Sequence, residues 1–231
     1  MQPELRTIRT GTPGAQDFAL QQNKVLRNTY MLLALSLIPT AIGAAIGTNI
    51  DLGFMRTSPG LSFIVILAVF YGWIYAIERN KESSLGVALL LGFTLFLGIL
   101  LGPLLHRTLG FKNGTELVMM AAGGTAAVFF VMAGIASSTK RDFSGLSSFL
   151  TVGAVVIMLG VVASFFVHSP ILYLVILGAF VLFSSVMIMW QVNAIVRGGE
   201  TNYISATLTL YISIYNLFSA LLQLLGMGGR D

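Results

Sequence analysis

Residues 198–226 read GGETNYISATLTLYISIYNLFSALLQLLG, and this stretch decides the fold that the sequence predicts. Read as a helix, it places its polar residues at spacings of three, four or seven, within about a third of the circumference. A polar stripe on a membrane-spanning helix must face protein or a water-filled cavity. We therefore predict a helix inside a bundle, where the stripe either makes interhelical hydrogen bonds or lines a cavity. The stripe comprises Asn202, Ser205, Thr209, Ser213, Asn216 and Gln223, with Tyr203, Tyr211, Tyr215 and Phe218 roughly opposite.

The composition indicates a polytopic membrane protein. Of the 231 residues, 56% are hydrophobic and only 10% are charged, whereas a soluble domain has about 25% charged residues. The net charge is +4, but the basic residues lie in the loops and the N-terminal tail. They are typical of topology signals and do not indicate a nucleic-acid surface. The chain has no Cys, which excludes disulfides and thiolate metal sites.

Seven apolar blocks are long enough to cross a membrane as helices, each needing roughly 20 residues. The third is predicted to end at Pro103 and to be followed by a hydrophilic loop from His106 to Thr115. Residues 1–28 are polar and contain Gly and Pro, so they are predicted to form a flexible cytoplasmic tail ahead of one seven-helix membrane domain, residues 29–231. The predicted spans are about 29–49, 59–77, 84–105, 116–137, 146–167, 170–195 and 202–225.

Two pairs of small residues recur at helical spacing, Gly43 with Gly47 and Gly98 with Gly102. Small residues let helix backbones approach closely, which is how helices associate where lipid removes the hydrophobic driving force. We interpret both pairs as helix packing within the bundle. They do not indicate dimerisation, and the sequence leaves the oligomeric state open.

The distribution of basic residues predicts the orientation, because cytoplasmic loops carry an excess of Lys and Arg. With seven spans and the N-terminus in the cytoplasm, nine of the 13 basic residues lie on the cytoplasmic side, and the C-terminus lies outside. The nine are Arg6, Arg9, Lys24, Arg27, Arg79, Lys81, Lys140, Arg141 and Arg197, and the others are Arg56, Arg107, Lys112 and Arg230.

No catalytic or metal-binding pattern emerges from the residues that could carry chemistry. His106 and His168 both fall in loops, and no nucleophile stands beside a base that an acid could orient. Glu78 and Glu116 lie at span ends, and Glu200 precedes a helix N-terminus, where a carboxylate is favourable on dipole grounds alone. We therefore predict a non-enzymatic protein without metal or cofactor.

The polar residues inside the predicted membrane region are more informative. In the sixth span, Ser184 and Gln191 are seven apart and share a helix face. If the sixth and seventh helices pack antiparallel through their short loop, Gln191 approaches Ser213 or Thr209, with Asn216 deeper in the bundle. This predicts a central, neutral polar cluster of four residues. It contains no acid and therefore no group that titrates near neutral pH.

Several segments of the chain resemble the Bax inhibitor-1 family of seven-helix membrane proteins. The closing segment, residues 198–218, is similar to the family's closing signature, and within the family the chain is most similar to the bacterial, YccA-like branch. The resemblance covers nearly the whole chain beyond about the first 20 residues. The matching segments are KVLRNTY at 24–30, LGP at 101–103, GGTA at 123–126, VFF at 128–130, GGETNYI at 198–204, LY at 210–211 and YNLF at 215–218. The signature residues are Gly198, Gly199, Glu200, Asn202 and Tyr203.

This resemblance implies a bundle in which the outer helices wrap a central seventh helix. In family members with calcium-leak activity, an acidic pair in the sixth and seventh helices, tied to an arginine in the second, forms a proton-sensitive gate. Here the two acidic positions match Gln191 and Ser213, and residues 61–77 contain no arginine. Two close carboxylates can share a proton near neutral pH, whereas an amide and a hydroxyl cannot. The departure weighs against a proton-gated calcium leak.

Two functional hypotheses follow from the resemblance. The first is a non-enzymatic modulator of an FtsH-type quality-control protease in the bacterial inner membrane. It would act as a slowly degraded substrate that competes with others, the N-terminal tail serving as the handle that the protease grips. Its partners would be that protease, the membrane proteins associated with it, and the lipid bilayer. The second is a channel that leaks calcium or another small ion.

Overall fold

The computed structural model describes residues 13–50, 57–139 and 141–228, which form seven α-helices and no strand. All seven helices are long and apolar enough to cross a membrane, which confirms the predicted all-α membrane fold. The helices are α1 (Pro13–Gly47), α2 (Pro59–Arg79), α3 (Ser84–Leu109), α4 (Gly114–Ser138), α5 (Leu146–Ser164), α6 (Pro170–Val196) and α7 (Tyr203–Gly228).

The first helix begins well before the predicted span. Residues 1–12 lie outside the described part of the chain, but α1 starts at Pro13, so residues 13–28 are helical and the predicted boundary at 29 is corrected. At 35 residues α1 is about 52 Å long, whereas the hydrocarbon core is about 30 Å thick. The extension is held by tertiary contact, because Val25 is buried and the Phe18 ring lies against the backbone of Gly198.

The third helix also differs from its predicted end. Pro103 lies inside α3, which continues to Leu109, so the connection to α4 is shorter than the predicted loop. A proline removes one backbone hydrogen bond, but membrane helices tolerate it where neighbouring groups compensate. The last turns are anchored, since Thr108 is buried and its Oγ1 donates to the backbone oxygen of Leu104 at 3.0 Å.

Helix α7 is the centre of the bundle, as the family resemblance implies. It packs against α1, α2, α3, α4 and α6, whereas α5 packs only against α6 among the described residues. Its apolar side chains Ile204, Leu210, Leu217 and Leu222 are fully buried. A helix surrounded in this way can present polar side chains only to protein, which is the arrangement that its polar stripe predicts.

The two pairs of small residues pack against each other. A Cβ atom on Gly43 would overlap the backbone oxygen of Leu95, and one on Gly98 would overlap that of Thr40. A Cβ atom on Gly102 would meet the backbone of Gly47. The interpretation of these pairs as packing is therefore confirmed, and the structure adds that they belong to one interface, between α1 and α3.

Candidate functional site

The structure buries the predicted central cluster but does not join its members across helices. Gln191 on α6 and Ser213 on α7 are 2% and 4% exposed, and Thr209 and Asn216 are half-buried. The hydroxyl of Ser213 donates to the backbone oxygen of Thr209 at 2.8 Å, within its own helix. Serine often satisfies itself in this way inside a helix. Consequently Ser213 does not use its hydroxyl hydrogen to reach α6.

The amide of Gln191 is the unusual member of this cluster. Its Nε2 atom is buried and has no hydrogen-bond partner among the described residues. The same holds for Ser184 Oγ, seven positions earlier on the same face of α6. Neither α6 nor α7 contains an aspartate or glutamate. The centre of the bundle is therefore polar and neutral. What the four residues of the cluster do stays a prediction.

The end of the bundle where α7 begins holds a denser set of polar contacts, starting with Asn193 near the end of α6. Its Nδ2 donates to the backbone oxygens of Ala136 and Arg141, both at 3.3 Å, and its Oδ1 accepts from the backbone N–H of Phe143 at 3.2 Å. One buried amide thus satisfies three backbone groups, one in the last turn of α4 and two in the α4–α5 connection. The side chain of Arg197 reinforces the contact by donating to the oxygen of Arg141 at 3.1 Å.

The signature segment forms the tight connection from α6 to α7. Gly198 adopts a φ of +76°, a conformation that residues with a Cβ atom rarely adopt. A Cβ atom there would also meet the Phe18 ring and the Gln22 side chain of α1. The backbone N–H groups of Gly199 and Glu200 both donate to the oxygen of Ala194, at 2.8 and 3.1 Å. The glycines therefore allow α6 to end against the extended part of α1.

Asn202 both caps α7 and ties it to another loop. Its Oδ1 accepts from the backbone N–H groups of Ile204 and Ser205, at 2.9 and 3.2 Å, as an N-terminal capping residue does. Its Nδ2 donates to the backbone oxygen of Lys81 and to Glu82 Oε1, both at 3.0 Å. The backbone N–H of Asn202 in turn donates to Glu200 Oε1 at 2.8 Å. This asparagine orients the first turn of the central helix.

A carboxylate at the end of α2 completes these contacts. Glu78 Oε2 accepts from Ser205 Oγ of α7 at 2.9 Å and from Lys81 Nζ at 3.1 Å. The hydrogen bond that Lys81 donates to Glu78, together with the charges of Glu78, Glu200 and Glu82, raises the pKa of Lys81 above its usual 10.5. Lys81 therefore stays positively charged at any physiological pH.

An open cleft of about 570 Å³ lies beside these contacts, between the α2–α3 connection, the first turns of α3 and the start of α7. The signature residues Asn202 and Tyr203 line it, whereas Gly198, Gly199 and Glu200 do not. No pattern in the sequence indicates this cleft, because its walls come from segments about 120 residues apart in the chain. It is formed only when α7 packs beside α2 and α3.

In the middle of the bundle, one tyrosine hydroxyl joins three helices. Tyr211 on α7 is 2% exposed, and its hydroxyl oxygen lies 2.6 Å from Thr40 Oγ1 of α1 and 3.3 Å from the backbone oxygen of Thr94 of α3. The sequence placed Tyr211 opposite the polar stripe and so did not indicate this role. In the sequence, Tyr211 follows the spacing of the other aromatic residues, and this pattern does not reveal the hydrogen-bond partners of its hydroxyl.

The described residues do not bring together three His, Asp or Glu side chains that could hold a metal ion. His106 and His168 are exposed near the opposite end of the bundle. The buried side chains of Asn193 and Tyr211 instead bond backbone groups and other helices. Such an arrangement fixes helix positions and leaves an open cleft at one end.

The fold and its polar contacts define a class, the seven-helix membrane proteins built around a central C-terminal helix. The family model described as "Inhibitor of apoptosis-promoting Bax1" matches residues 22–230. The chain therefore belongs to the Bax inhibitor-1 family, which confirms the resemblance seen in its closing signature.

Individual relatives cover almost the same length. The chain is 42% identical over 212 residues to the protein named "Modulator of FtsH protease YccA" of Escherichia coli K12, which spans 92% of this chain and 94% of the relative. It is 48% identical over 215 residues to an uncharacterised protein of Neisseria meningitidis serogroup B, spanning 92% and 95% of the two chains. An uncharacterised protein of Pseudomonas aeruginosa is 42% identical over 207 residues, 90% of each chain.

Proposed function

We propose that this chain is a non-enzymatic modulator of an FtsH-type protease in the bacterial inner membrane, and that it acts as a slowly degraded substrate that competes with others. The observation that carries the proposal is the 42% identity, over 92% of this chain, to a protein named as a modulator of the FtsH protease. With the predicted charge distribution, the N-terminus faces the cytoplasm and the C-terminus lies outside.

The packing supports a body that resists extraction from the membrane. Helix α7 contacts five other helices, and Gly43, Gly47, Gly98 and Gly102 bring the backbones of α1 and α3 together. Pulling any one helix out would expose the backbone-to-backbone contacts and buried hydroxyls of its neighbours to lipid. A protease that pulls on such a chain would be occupied for longer than by a loosely packed substrate.

The helical start of α1 shortens the handle that the sequence predicts. Helix α1 begins at Pro13, so residues 1–12 are the proposed handle. A pull from the N-terminus would next have to unwind residues 13–28 and detach Phe18 and Gln22 from the α6–α7 connection. Val25 and Thr29 follow, and both are buried. Resistance would therefore begin before the pull reaches the membrane-embedded part of α1.

Deleting residues 2–12 tests the handle. The deletion leaves Lys24 and Arg27 to set the topology, and the truncated chain should have a longer half-life in cells that contain the protease. A matched control replaces residues 2–12 with a Gly-Ser segment of equal length, which should restore degradation. Equal half-lives of the truncated and full-length chains would show that the handle lies elsewhere.

Co-purification and competition test the modulator function separately. Both the truncated and full-length chains should co-purify with the protease in mild detergent, because the membrane body is unchanged. Overproducing the full-length chain should lengthen the half-life of another membrane substrate of the protease. If neither form co-purifies and the second substrate is degraded at its normal rate, the modulator function is wrong.

A further inference from the structure

The open cleft beside the start of α7 is polar at its mouth and apolar along its inner wall. Its mouth is polar and is formed by the α2–α3 connection and the residues before α7. Its inner wall is formed by the first turns of α3, where apolar side chains follow one helix face. The lining residues are Lys81, Glu82, Ser83, Ser84, Val87, Ala88, Leu91, Thr201, Asn202 and Tyr203.

The ends of the surrounding helices indicate that the cleft lies where water meets the hydrocarbon core. Three membrane-crossing helices end or begin there, at Arg79, Ser84 and Tyr203. Val87 and Leu91 are one and two turns inside α3, so the apolar wall leads from the polar mouth into the depth of the bilayer. The ring of Tyr203 is suited to this boundary because tyrosine is enriched at headgroup level.

Two charged side chains, Lys81 and Glu82, line the mouth and are both held in place, and Glu78, which does not line it, forms an ion pair with Lys81. Lys81 Nζ donates to Glu78 Oε2 at 3.1 Å, and Glu82 Oε1 accepts from Asn202 Nδ2 at 3.0 Å. An ammonium has three donors and a carboxylate about four acceptor positions, so each group can bind a further partner. Neighbouring groups of opposite charge complement a ligand that carries both charges itself.

We propose that the cleft binds one phospholipid with a zwitterionic, primary-amine headgroup. The lipid phosphate accepts from Lys81, the lipid ammonium donates to Glu82, and one acyl chain lies along Val87, Ala88 and Leu91. A headgroup with net negative charge has no ammonium group to bind the carboxylate of Glu82, and its charge would be repelled there. A quaternary ammonium has no N–H to donate. The proposal is independent of any action on a protease.

Native mass spectrometry of the purified full-length protein tests this preference. The probes are phosphatidylethanolamine, phosphatidylcholine and phosphatidylglycerol with identical acyl chains. One phosphatidylethanolamine should be retained, with a Kd about tenfold lower than for the other two, the effect of one hydrogen bond between charged groups. Equal or tighter binding of phosphatidylglycerol would overturn the proposal.

Two variants separate the headgroup from the acyl chain. Glu82→Gln keeps an acceptor oxygen for Asn202 but removes the charge, so the preference for phosphatidylethanolamine over phosphatidylcholine should disappear. Ala88→Trp fills the exposed apolar wall and should weaken all three lipids. The matched controls are Glu116→Gln and Ala127→Trp, both at exposed positions of α4, and they should bind as the unaltered protein does.

The outcomes that contradict a lipid site are equally specific. If Ala88→Trp retains phosphatidylethanolamine unchanged, the acyl chain does not lie in the cleft. If glycerophosphoethanolamine, which has the headgroup but no acyl chains, competes as well as the lipid does, the cleft binds a soluble ligand. Should Glu82→Gln disturb the fold, as seen by circular dichroism, Ala88→Trp decides alone because it alters no charge.

Discussion

The amide Nδ2 of Asn202 lies 3.0 Å from the backbone oxygen of Lys81, so a single side chain fastens the first turn of the central helix to the loop between α2 and α3. The same side chain caps α7 through its Oδ1 atom. A residue that caps one element and holds another has two separable contributions to stability.

Replacing Asn202 should therefore be costly. Asn202→Ala removes the cap and the tie together, and we expect the free energy of unfolding to fall by roughly 2 kcal/mol. Asn202→Asp keeps the capping oxygen but loses the donor and places a carboxylate beside Glu82. Because protonation removes the repulsion between the two carboxylates, the thermal unfolding midpoint of this variant should rise when the pH is lowered. Thermal unfolding in detergent measures both variants. Two variants as stable as the parent would show that the tie contributes nothing.

Tyr211→Phe should loosen the middle of the bundle. The change removes only the hydroxyl that joins α7 to Thr40 and Thr94, and a net loss of about 1 kcal/mol is expected for hydrogen bonds of this kind. Tyr71→Phe is the control, since Tyr71 is 56% exposed on α2 and should unfold with the parent. A smaller loss for Tyr211→Phe than for Tyr71→Phe would contradict the assigned role.

Gly98→Ala should separate α1 from α3. Its new methyl group would overlap the backbone oxygen of Thr40, and the required backbone shift should lower the free energy of unfolding by roughly 1–3 kcal/mol. Gly123→Ala makes the same chemical change on α4, where nothing lies within 4 Å of the added atom. That control should stay within about 0.5 kcal/mol of the parent.

The charge distribution predicts that the C-terminus lies outside the cytoplasm. Alkaline phosphatase, which is active only outside, should be active when fused after Asp231 and inactive when fused after Glu82 in the α2–α3 loop. Green fluorescent protein, which folds in the cytoplasm, should show the reverse pattern. A C-terminal fusion that is active only in the cytoplasm would exclude this orientation.

Calcium flux near neutral pH is not expected to depend on pH. Helices α6 and α7 contain no Asp or Glu, so Gln191 and Ser213 offer nothing that titrates between about pH 6 and 8. Dye-loaded liposomes with purified protein should leak at the rate of protein-free liposomes at both pH values. A reproducible leak that changes with pH would overturn the neutral-cluster interpretation and favour the channel hypothesis.

Sequence patterns predicted the helices well because each one is a local property. A run of about 20 apolar residues has to form a helix in lipid, whatever its neighbours do. The predicted ends were less accurate at α1 and α3. There the helices continue past the polar or proline residues that suggested an end, with Phe18 of α1 in contact with Gly198 and Thr108 of α3 buried.

Asn193 illustrates what a linear pattern cannot indicate. Its three backbone partners lie 50 to 57 positions earlier in the chain. No periodicity in α6 distinguishes Asn193 from Gln191. Gln191 stood out as the match to a family position, yet its Nε2 has no partner among the described residues. The residue types were visible, but their partners were not.

The sequence by itself determined the class of protein, the number of helices and the polar face of the central one, because hydrophobicity and helical periodicity act within a segment. Only the tertiary structure decided that the glycine pairs of α1 and α3 meet, that Tyr211 joins three helices, and that Lys81 and Asn202 enclose a cleft. Each of these depends on a distance between atoms far apart in the chain. In a membrane, such distances are set by shape and hydrogen bonding between whole helices, and no single segment contains that information.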